Sequence, residues 1–340
     1  MLFPLCLLLA PIAHAQLPGP CDLLKSAQVA EAARASAGAS KHDVAARQFR
    51  DAYFACPSQH ELLLELSRAS TTARDFPEAI QAAEDYLERA PNSFEGHLVL
   101  GNAYMMAVQL DEALAQAEAA LKLQPANATA LKLKGNTEYL LGKLDLAAGT
   151  LVGLLEQHPK DEEAAYMLGR IYYQDGRVDH AMGAFQRVLK LNPKSYKAYD
   201  NLGLCYEARG EKDTAIRHFL TAVKLVETDH PEYDLVYANL ANLLLDAGDA
   251  EKAHGAAAKA AERNPLSARN FYLGGKALSM LNKTDLALNW LERYAALDAS
   301  YPEPLYLLAR LYSQLGQSDK AKQAMARFQE VKAKAPRERR

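Results

Sequence analysis

The chain has 340 residues and a formal net charge of −3. A chain so close to neutral lacks the basic surface that nucleic-acid binding requires, so we expect no nucleic-acid partner. Alanine and leucine dominate the composition, and both enter helices at little cost, which favours an all-α fold.

The first segment, residues 1–15, is predicted to be a secretory signal that is cleaved. Residues 1–10 are an apolar run too short to cross a bilayer, and Ala13 and Ala15 are the small residues that a signal peptidase reads. No Lys or Arg precedes the run, so an ordinary N-terminal anchor is the alternative. We expect an exported protein, periplasmic or secreted and not transmembrane, in which residues 16–25 lead into the folded part.

A period of 34 residues runs through the rest of the chain. Alanines follow this period from Ala45 to Ala321, and a glycine series follows it from Gly142 to Gly316. Prolines share it, at Pro57, Pro91, Pro125, Pro159 and Pro193, and after a four-residue slip at Pro231 and Pro265. Three residue types with one period predict a repeated supersecondary unit.

The clearest periods contain all or most of Leu-Gly-x-x-Tyr, then Ala-x-x-x-Phe, then Pro. The clearest copy consists of Leu168, Gly169, Tyr172, Ala181, Phe185 and Pro193. This pattern resembles the tetratricopeptide repeat, in proteins of an exported bacterial type. The resemblance implies an all-α, right-handed superhelical solenoid of about nine helix–turn–helix units, in which the first helix of each unit, helix A, lines a concave groove.

The period divides the chain into segments. Units one to six are predicted over 26–227 and units seven to nine over 234–331, with an inter-repeat insertion at 228–233. The insertion predicts a lengthened surface loop; the alternative is a changed superhelical path that creates two binding sub-arrays. Residues 332–340 form a basic tail that we expect to be disordered after Pro336.

Glycines at two positions of the repeat carry separate predictions. Gly203 and its equivalents lie inside helix A, where glycine costs about 1 kcal/mol relative to alanine, so we expect close approach of the paired helix. The series from Gly142 to Gly316, with Asn282 filling one gap, lies where helix A ends. A left-handed backbone conformation is expected there.

Three cysteines remain once the signal is removed. Cys21 lies just before helix A of unit one, and Cys56 lies at the end of its second helix, helix B. Those two ends are neighbours in an antiparallel hairpin, so we predict a disulfide between them in an oxidising compartment, with two unrelated thiols as the alternative. Cys205 is interpreted as a small buried apolar side chain.

Catalytic motifs are missing from the sequence. There is no Cys-x-x-Cys, no His-Glu-x-x-His, no phosphate-binding loop and no nucleophile elbow. Gly274-Gly275-Lys276 falls on the glycine position inside helix A, where packing explains it. We therefore expect no enzyme activity, no metal and no cofactor.

The resemblance implies which side chains face the groove. Tyr166, Arg170 and Tyr173 are the expected central anchor, with packing between hairpins as the alternative role for such tyrosines. Lys132 and Asn136 match part of a carboxylate clamp found in some family members, but Met167 stands where its next asparagine would be. The full predicted set is Asn102, Lys132, Asn136, Tyr139, Tyr166, Arg170, Tyr173, Asn201, Asn239, Asn242, Tyr272, Lys276, Tyr306 and Arg310.

These features lead to a functional expectation. The chain should be a non-catalytic protein–protein interaction scaffold that binds an extended protein or peptide segment, in assembly of a cell-envelope or secretion complex. The alternative is an accessory subunit that presents a substrate protein or glycan to a separately encoded enzyme. The sequence predicts no oligomeric state.

Overall fold

The computed structural model describes residues 21–298 and 300–334, and every regular element within them is an α-helix. The eighteen helices form nine hairpins, which confirms the predicted all-α repeat fold. The predicted signal, residues 1–15, lies outside the described residues. None of the described helices is both long and apolar enough to span a lipid bilayer.

The described residues form two compact units, divided in the sequence between Pro159 and Lys160. In each hairpin the odd-numbered helix is helix A and the even-numbered one is helix B. The first unit has four hairpins: α1 Leu23–Gly38, α2 His42–Ala55, α3 Leu62–Thr72, α4 Phe76–Arg89, α5 Phe94–Met106, α6 Leu110–Leu123, α7 Ala128–Leu140 and α8 Leu144–Gln157.

The second unit has five hairpins. They are α9 Glu162–Gln174, α10 Val178–Leu191, α11 Tyr196–Ala208, α12 Lys212–Asp229, α13 Leu235–Asp246, α14 Ala250–Arg263, α15 Ala268–Met280, α16 Thr284–Leu297, α17 Pro302–Gln314 and α18 Ser318–Lys334.

Small residues let the two helices of a hairpin pack closely. The periodic alanines are fully buried, as at Ala79 and Ala147. Inside helix A, a Cβ atom added to Gly169 would lie 2.6 Å from the ring of Phe185 on helix B. The close approach expected at these glycines is therefore confirmed. In α3, Ser67 replaces the glycine, and its hydroxyl donates a hydrogen bond to the carbonyl oxygen of Ala79 at 2.7 Å.

Every described helix A is followed, two positions after its last residue, by a residue with a left-handed backbone. Gly142 has φ 73° and Asn282 has φ 57°, so the expectation for this series is confirmed. The first three hairpins use other residues at the same position, namely Ser40, Arg74 and Val108. This conformation lets the amides after the helix bond to its last carbonyl groups, as Gln109 N does to Tyr104 O at 2.9 Å.

The four extra residues between units six and seven lengthen a helix. α12 has 18 residues, whereas α10 has 14, so the expectation of a longer loop over 228–233 is wrong at residues 228 and 229. The chain then folds back so that the ring of Tyr196 lies 4.3 Å from His230 and 4.7 Å from Tyr233, between centroids. These contacts pack the turn after the extended helix against the start of α11.

Two further boundaries differ from the sequence prediction. α1 begins at Leu23, so the last three residues of the predicted lead-in are helical. α18 continues to Lys334, so the first three residues of the predicted tail are helical too, and the remainder, 335–340, lies outside the described residues.

The first hairpin is closed by a disulfide between Cys21 and Cys56. Next to it, Asp22 N donates to Ala55 O at 2.8 Å, and the hydroxyl of Ser26 donates to Ala52 O at 2.8 Å. The third cysteine, Cys205, is fully buried in α11, and burial raises the pKa of its thiol to about 12. It is a packing residue, as interpreted from the sequence.

Candidate peptide-binding groove

Polar side chains join the A helices of the second unit into one surface. α9, α11, α13 and α15 lie side by side in order. Asn201 donates to the hydroxyl of Tyr166 at 3.2 Å, and Asn239 donates to a carboxylate oxygen of Asp200 at 2.9 Å. Arg269 in turn donates to the amide oxygen of Asn239 at 3.0 Å. We call this surface, formed by the A helices from α9 to α17, the A-helix face of the second unit.

A buried carboxylate lies at the centre of the polar network. Asp200 is 2% exposed and accepts hydrogen bonds from Asn239 and from the hydroxyl of Tyr233, the latter at 2.7 Å. Desolvation raises the pKa of Asp200, while the two hydrogen bonds and the charge of Arg269 oppose that rise. Burial and the nearby carboxylate raise the pKa of Tyr233. A network satisfied in this way holds neighbouring helices in a fixed arrangement.

Asn239 is therefore not available to a partner. It is 7% exposed, and both ends of its side-chain amide are bonded, one to Asp200 and the other to Arg269. The sequence predicted Asn239 in the groove because it occupies a position on helix A that faces the groove in the repeat family. The structure shows that it positions Arg269 instead. Tyr233 carried no signal in the sequence, because it lies within the irregular insertion, outside the repeat pattern.

The central anchor residues lie together on α9. Arg170 is exposed, whereas Tyr166 and Tyr173 are half-buried and pack against the core around Phe185. Desolvation raises the pKa of both tyrosines, so their hydroxyl groups stay protonated and neutral. Each ring thus has a packing role and a partly exposed edge, which combines the two roles considered for these residues.

The other predicted residues of the second unit follow along the same face. Tyr306 is half-exposed beside Phe328, and the guanidinium of Arg310 donates to the hydroxyl of Ser279 at 3.4 Å. Half-buried side chains make up the remainder, namely Asn201, Asn242, Tyr272 and Lys276.

The predicted residues of the first unit lie on α5 and α7. Asn102 is exposed, and Lys132 and Tyr139 are half-buried. Asn136, one helical turn after Lys132, is also half-buried and donates to the sulfur of Met105 at 3.3 Å. The two clamp-like residues, Lys132 and Asn136, are thus on one helix as predicted.

A cleft of about 580 Å³ opens on the A-helix face of the second unit. We call it the α15–α17 cleft, and six side chains define it: Asn242, Arg269, Tyr272, Tyr294, Tyr301 and Glu303. Asn242 and Tyr272 were predicted from their places on helix A. Tyr294 and Tyr301 were missed because they lie at the end of a helix B and in the turn after it. A cleft of this volume suits a few residues of an extended peptide.

No metal centre is formed by the described residues. Across 21–298 and 300–334, His, Cys, Asp and Glu side chains never gather in a group of three that could hold an ion.

The sequence matches the family models of the tetratricopeptide repeat over most of its length. One model matches residues 27–94, 98–162, 141–195, 166–230 and 239–302, and a second matches residues 302–334. Among the curated proteins there is no significant match.

Solved structures of the same fold resemble the chain. A tetratricopeptide repeat protein from Parabacteroides merdae is 21% identical, with 77% of this chain and 98% of that one covered and a TM-score of 0.58. Cut9–Hcn1, from the APC/C, is 16% identical, with 79% and 52% covered and a TM-score of 0.60. MamA from Desulfovibrio magneticus is 23% identical, with 50% and 97% covered and a TM-score of 0.46.

Tetratricopeptide repeats are modules of protein–protein interaction, and their recurrence here from residue 27 to residue 334 makes the chain an interaction scaffold. The chain belongs to the tetratricopeptide-repeat family.

Proposed function

We propose that the A-helix face of the second unit binds an extended segment of a partner protein. The observation that carries this proposal is that bonded polar side chains link each neighbouring pair of A helices from α9 to α15. Asn201 bonds to Tyr166, and Arg269 bonds through Asn239 to Asp200. Arg269 also lines the α15–α17 cleft, so the polar surface leads into it. Because the network holds these side chains in place before binding, less conformational entropy is lost when a partner docks. In this proposal the chain acts as a scaffold without catalysis of its own.

Arg170 and Tyr173 are the proposed centre of the contact. Arginine and tyrosine are enriched among residues that dominate interface energies, and tyrosine loses little rotamer freedom on binding. Arg170 is exposed, and Tyr173 presents the edge of a ring whose other side is fixed by the core. An exposed guanidinium beside a fixed ring suits an interface anchor.

We further propose an exported location, with a role in assembling a cell-envelope or secretion complex. The disulfide between Cys21 and Cys56 supports this location, since such bonds persist in oxidising compartments. The apolar run at residues 1–10 and the small residues before Gln16 support it from the sequence.

Affinity capture from the envelope fraction tests the function. The oxidised full-length chain is compared with Arg170→Ala and Tyr173→Ala, and with the matched control Arg217→Ala on helix B of unit six, where the side chain is also exposed. Loss of an anchor of this kind costs about 2 kcal/mol or more, so each groove variant should bind the captured partner at least tenfold more weakly. Unchanged binding by both groove variants would show that the partner docks elsewhere.

A further inference from the structure

We propose that the α15–α17 cleft is a subsite for a cation, and that it accepts a lysine or arginine side chain of the bound segment. This inference rests on the proposed function, because it specifies which chemistry the groove selects. The tyrosine walls of the cleft, the charges at its rim and the hydrogen bond of its one basic side chain support it.

Three tyrosines form the walls. Tyr272 is half-buried and its ring lies 6.2 Å from that of Tyr294, between centroids, at an interplanar angle of 55°. Tyr294 is only 2% exposed, so it supports the ring of Tyr272 and leaves the accessible aromatic surface to Tyr272 and Tyr301. It is fixed, because its hydroxyl bonds to both the amide nitrogen and the carbonyl oxygen of Tyr301 at 3.2 Å. Tyr301 leaves 64% of its surface exposed at the mouth. Aromatic faces are electron-rich and attract ammonium and guanidinium groups.

Two carboxylates lie at the rim. Asp298 and Glu303 both line the cleft and are exposed, and no basic side chain of the described residues forms an ion pair with either. Within the described part of the chain, Asp298 accepts side-chain hydrogen bonds from Ser300 alone, at 2.8 Å from the amide nitrogen and 2.9 Å from the hydroxyl. The charge of Glu303 reaches the walls, since it adds to the rise that burial causes in the pKa of Tyr272 and Tyr294.

Arg269 is the one basic residue among the described lining of the cleft, and its side-chain hydrogen bond goes to Asn239 on α13 and not to a rim carboxylate. The guanidinium donates to Asn239, and it stabilises the charged forms of Asp200 and Glu207 on α11. An anion entering the cleft would have to compete with these groups for Arg269. The carboxylates at the rim have no such competitor, so the cleft is complementary to a positive charge.

The polar groups of the cleft also suit the main chain that carries such a side chain. Asn242 is half-buried on α13 and lines the same cleft, so its amide can bond an extended backbone while the cation lies between the tyrosines. The volume of about 580 Å³ exceeds that of one lysine side chain and leaves room for its flanking residues.

Methyl NMR of the full-length, oxidised chain tests this inference. The probes are N-acetyl-lysine amide, N-acetyl-norleucine amide and N-acetyl-glutamate amide, and the reporters are the methyl groups of Leu266, Ala268 and Leu273, which line the cleft. The lysine probe should shift these signals to saturation, and the norleucine probe, of similar shape but uncharged, should bind roughly tenfold more weakly.

Two variants test the assigned groups. Glu303→Gln and Tyr301→Leu should each weaken lysine binding several-fold, while Glu251→Gln, an exposed glutamate in the first turn of α14, should leave it unchanged. Both cleft side chains are exposed, so circular dichroism should show that the variants remain folded. Equal binding of lysine and norleucine, or stronger binding of glutamate, would overturn the cation assignment.

The outcome separates this inference from the proposed function. If the lysine probe fails while partner capture still depends on Arg170, the groove function stands and the cation subsite is wrong. If the lysine probe binds while partner capture ignores both anchor variants, the subsite exists and the proposed peptide groove is wrong.

Discussion

Val108→Gly should stabilise the hairpin formed by α5 and α6. Val108 lies two residues after the end of α5 with φ 62°, a left-handed conformation that a β-branched residue rarely adopts. The equivalent residues Gly142 and Gly176 have φ 73° and 74° and carry no Cβ atom to clash. The valine is therefore strained at a position where the fold requires this turn.

The size of the gain follows from three terms. The left-handed conformation costs a residue with a Cβ about 1–2 kcal/mol of folding free energy, and replacement by glycine removes this cost. Glycine also has more conformational freedom in the unfolded chain, which destabilises the folded protein by about 0.5–1 kcal/mol. The valine side chain is 75% exposed, so its removal sacrifices little packing. The net expected gain is about 1 kcal/mol.

Hydrogen exchange is the appropriate assay, because repeat proteins open locally and a global midpoint can hide one hairpin. The amides of Val108 and Gln109 bond to Met105 O and Tyr104 O at 3.1 and 2.9 Å, and those bonds remain in the variant. A gain of about 1 kcal/mol should slow their exchange roughly fivefold.

Asn282→Gly is the matched control. Asn282 occupies the same position of a later unit with φ 57°, and asparagine tolerates this conformation better than other residues with a side chain. Its replacement should change protection much less. An equal effect at both positions, or faster exchange in Val108→Gly, would refute strain at this turn.

Three other predictions concern packing, the disulfide and pH. Gly203→Ala should destabilise by about 1–3 kcal/mol because the methyl would overlap the ring of a buried phenylalanine, whereas Gly183→Ala, mid-helix and exposed with open space, should stabilise by up to about 1 kcal/mol; urea unfolding distinguishes them. Replacing Cys21 and Cys56 by serine should cost about 3–4 kcal/mol, since the bond closes a separation of 35 residues, and equal stability with and without reductant would contradict it. Burial raises the folded-state pKa of Asp200, so its stabilising contribution is complete below the unfolded value near 4 and is lost as pH rises through the folded value. The urea midpoint of the wild type minus that of Asp200→Asn should therefore fall as pH rises from about 4, and a constant difference would argue against the raised pKa.

The repeat could be predicted because it depends on local chemistry. Alanines and glycines with one period identify where helices pack and where helix A ends, and each requirement acts within a few residues of the chain. Gly169 and Gly142 illustrate the two cases, one allowing close packing against Phe185 and the other a left-handed turn. Nine hairpins follow from counting such positions.

The groove depended on tertiary contacts that the period does not encode. Asn239 bonds to Asp200, a residue 39 positions away, and the extended α12 lies between them in the chain. Its position on helix A therefore gave the wrong prediction that it would contact a partner. The α15–α17 cleft likewise combines Tyr272 of one helix A with Tyr294 and Tyr301 from a helix end and a turn. The sequence by itself determined the hairpins, because helix packing and helix ends are repeated locally. Only the tertiary structure decided which side chains are buried in the network and which remain for binding, because burial is set by neighbours distant in the chain.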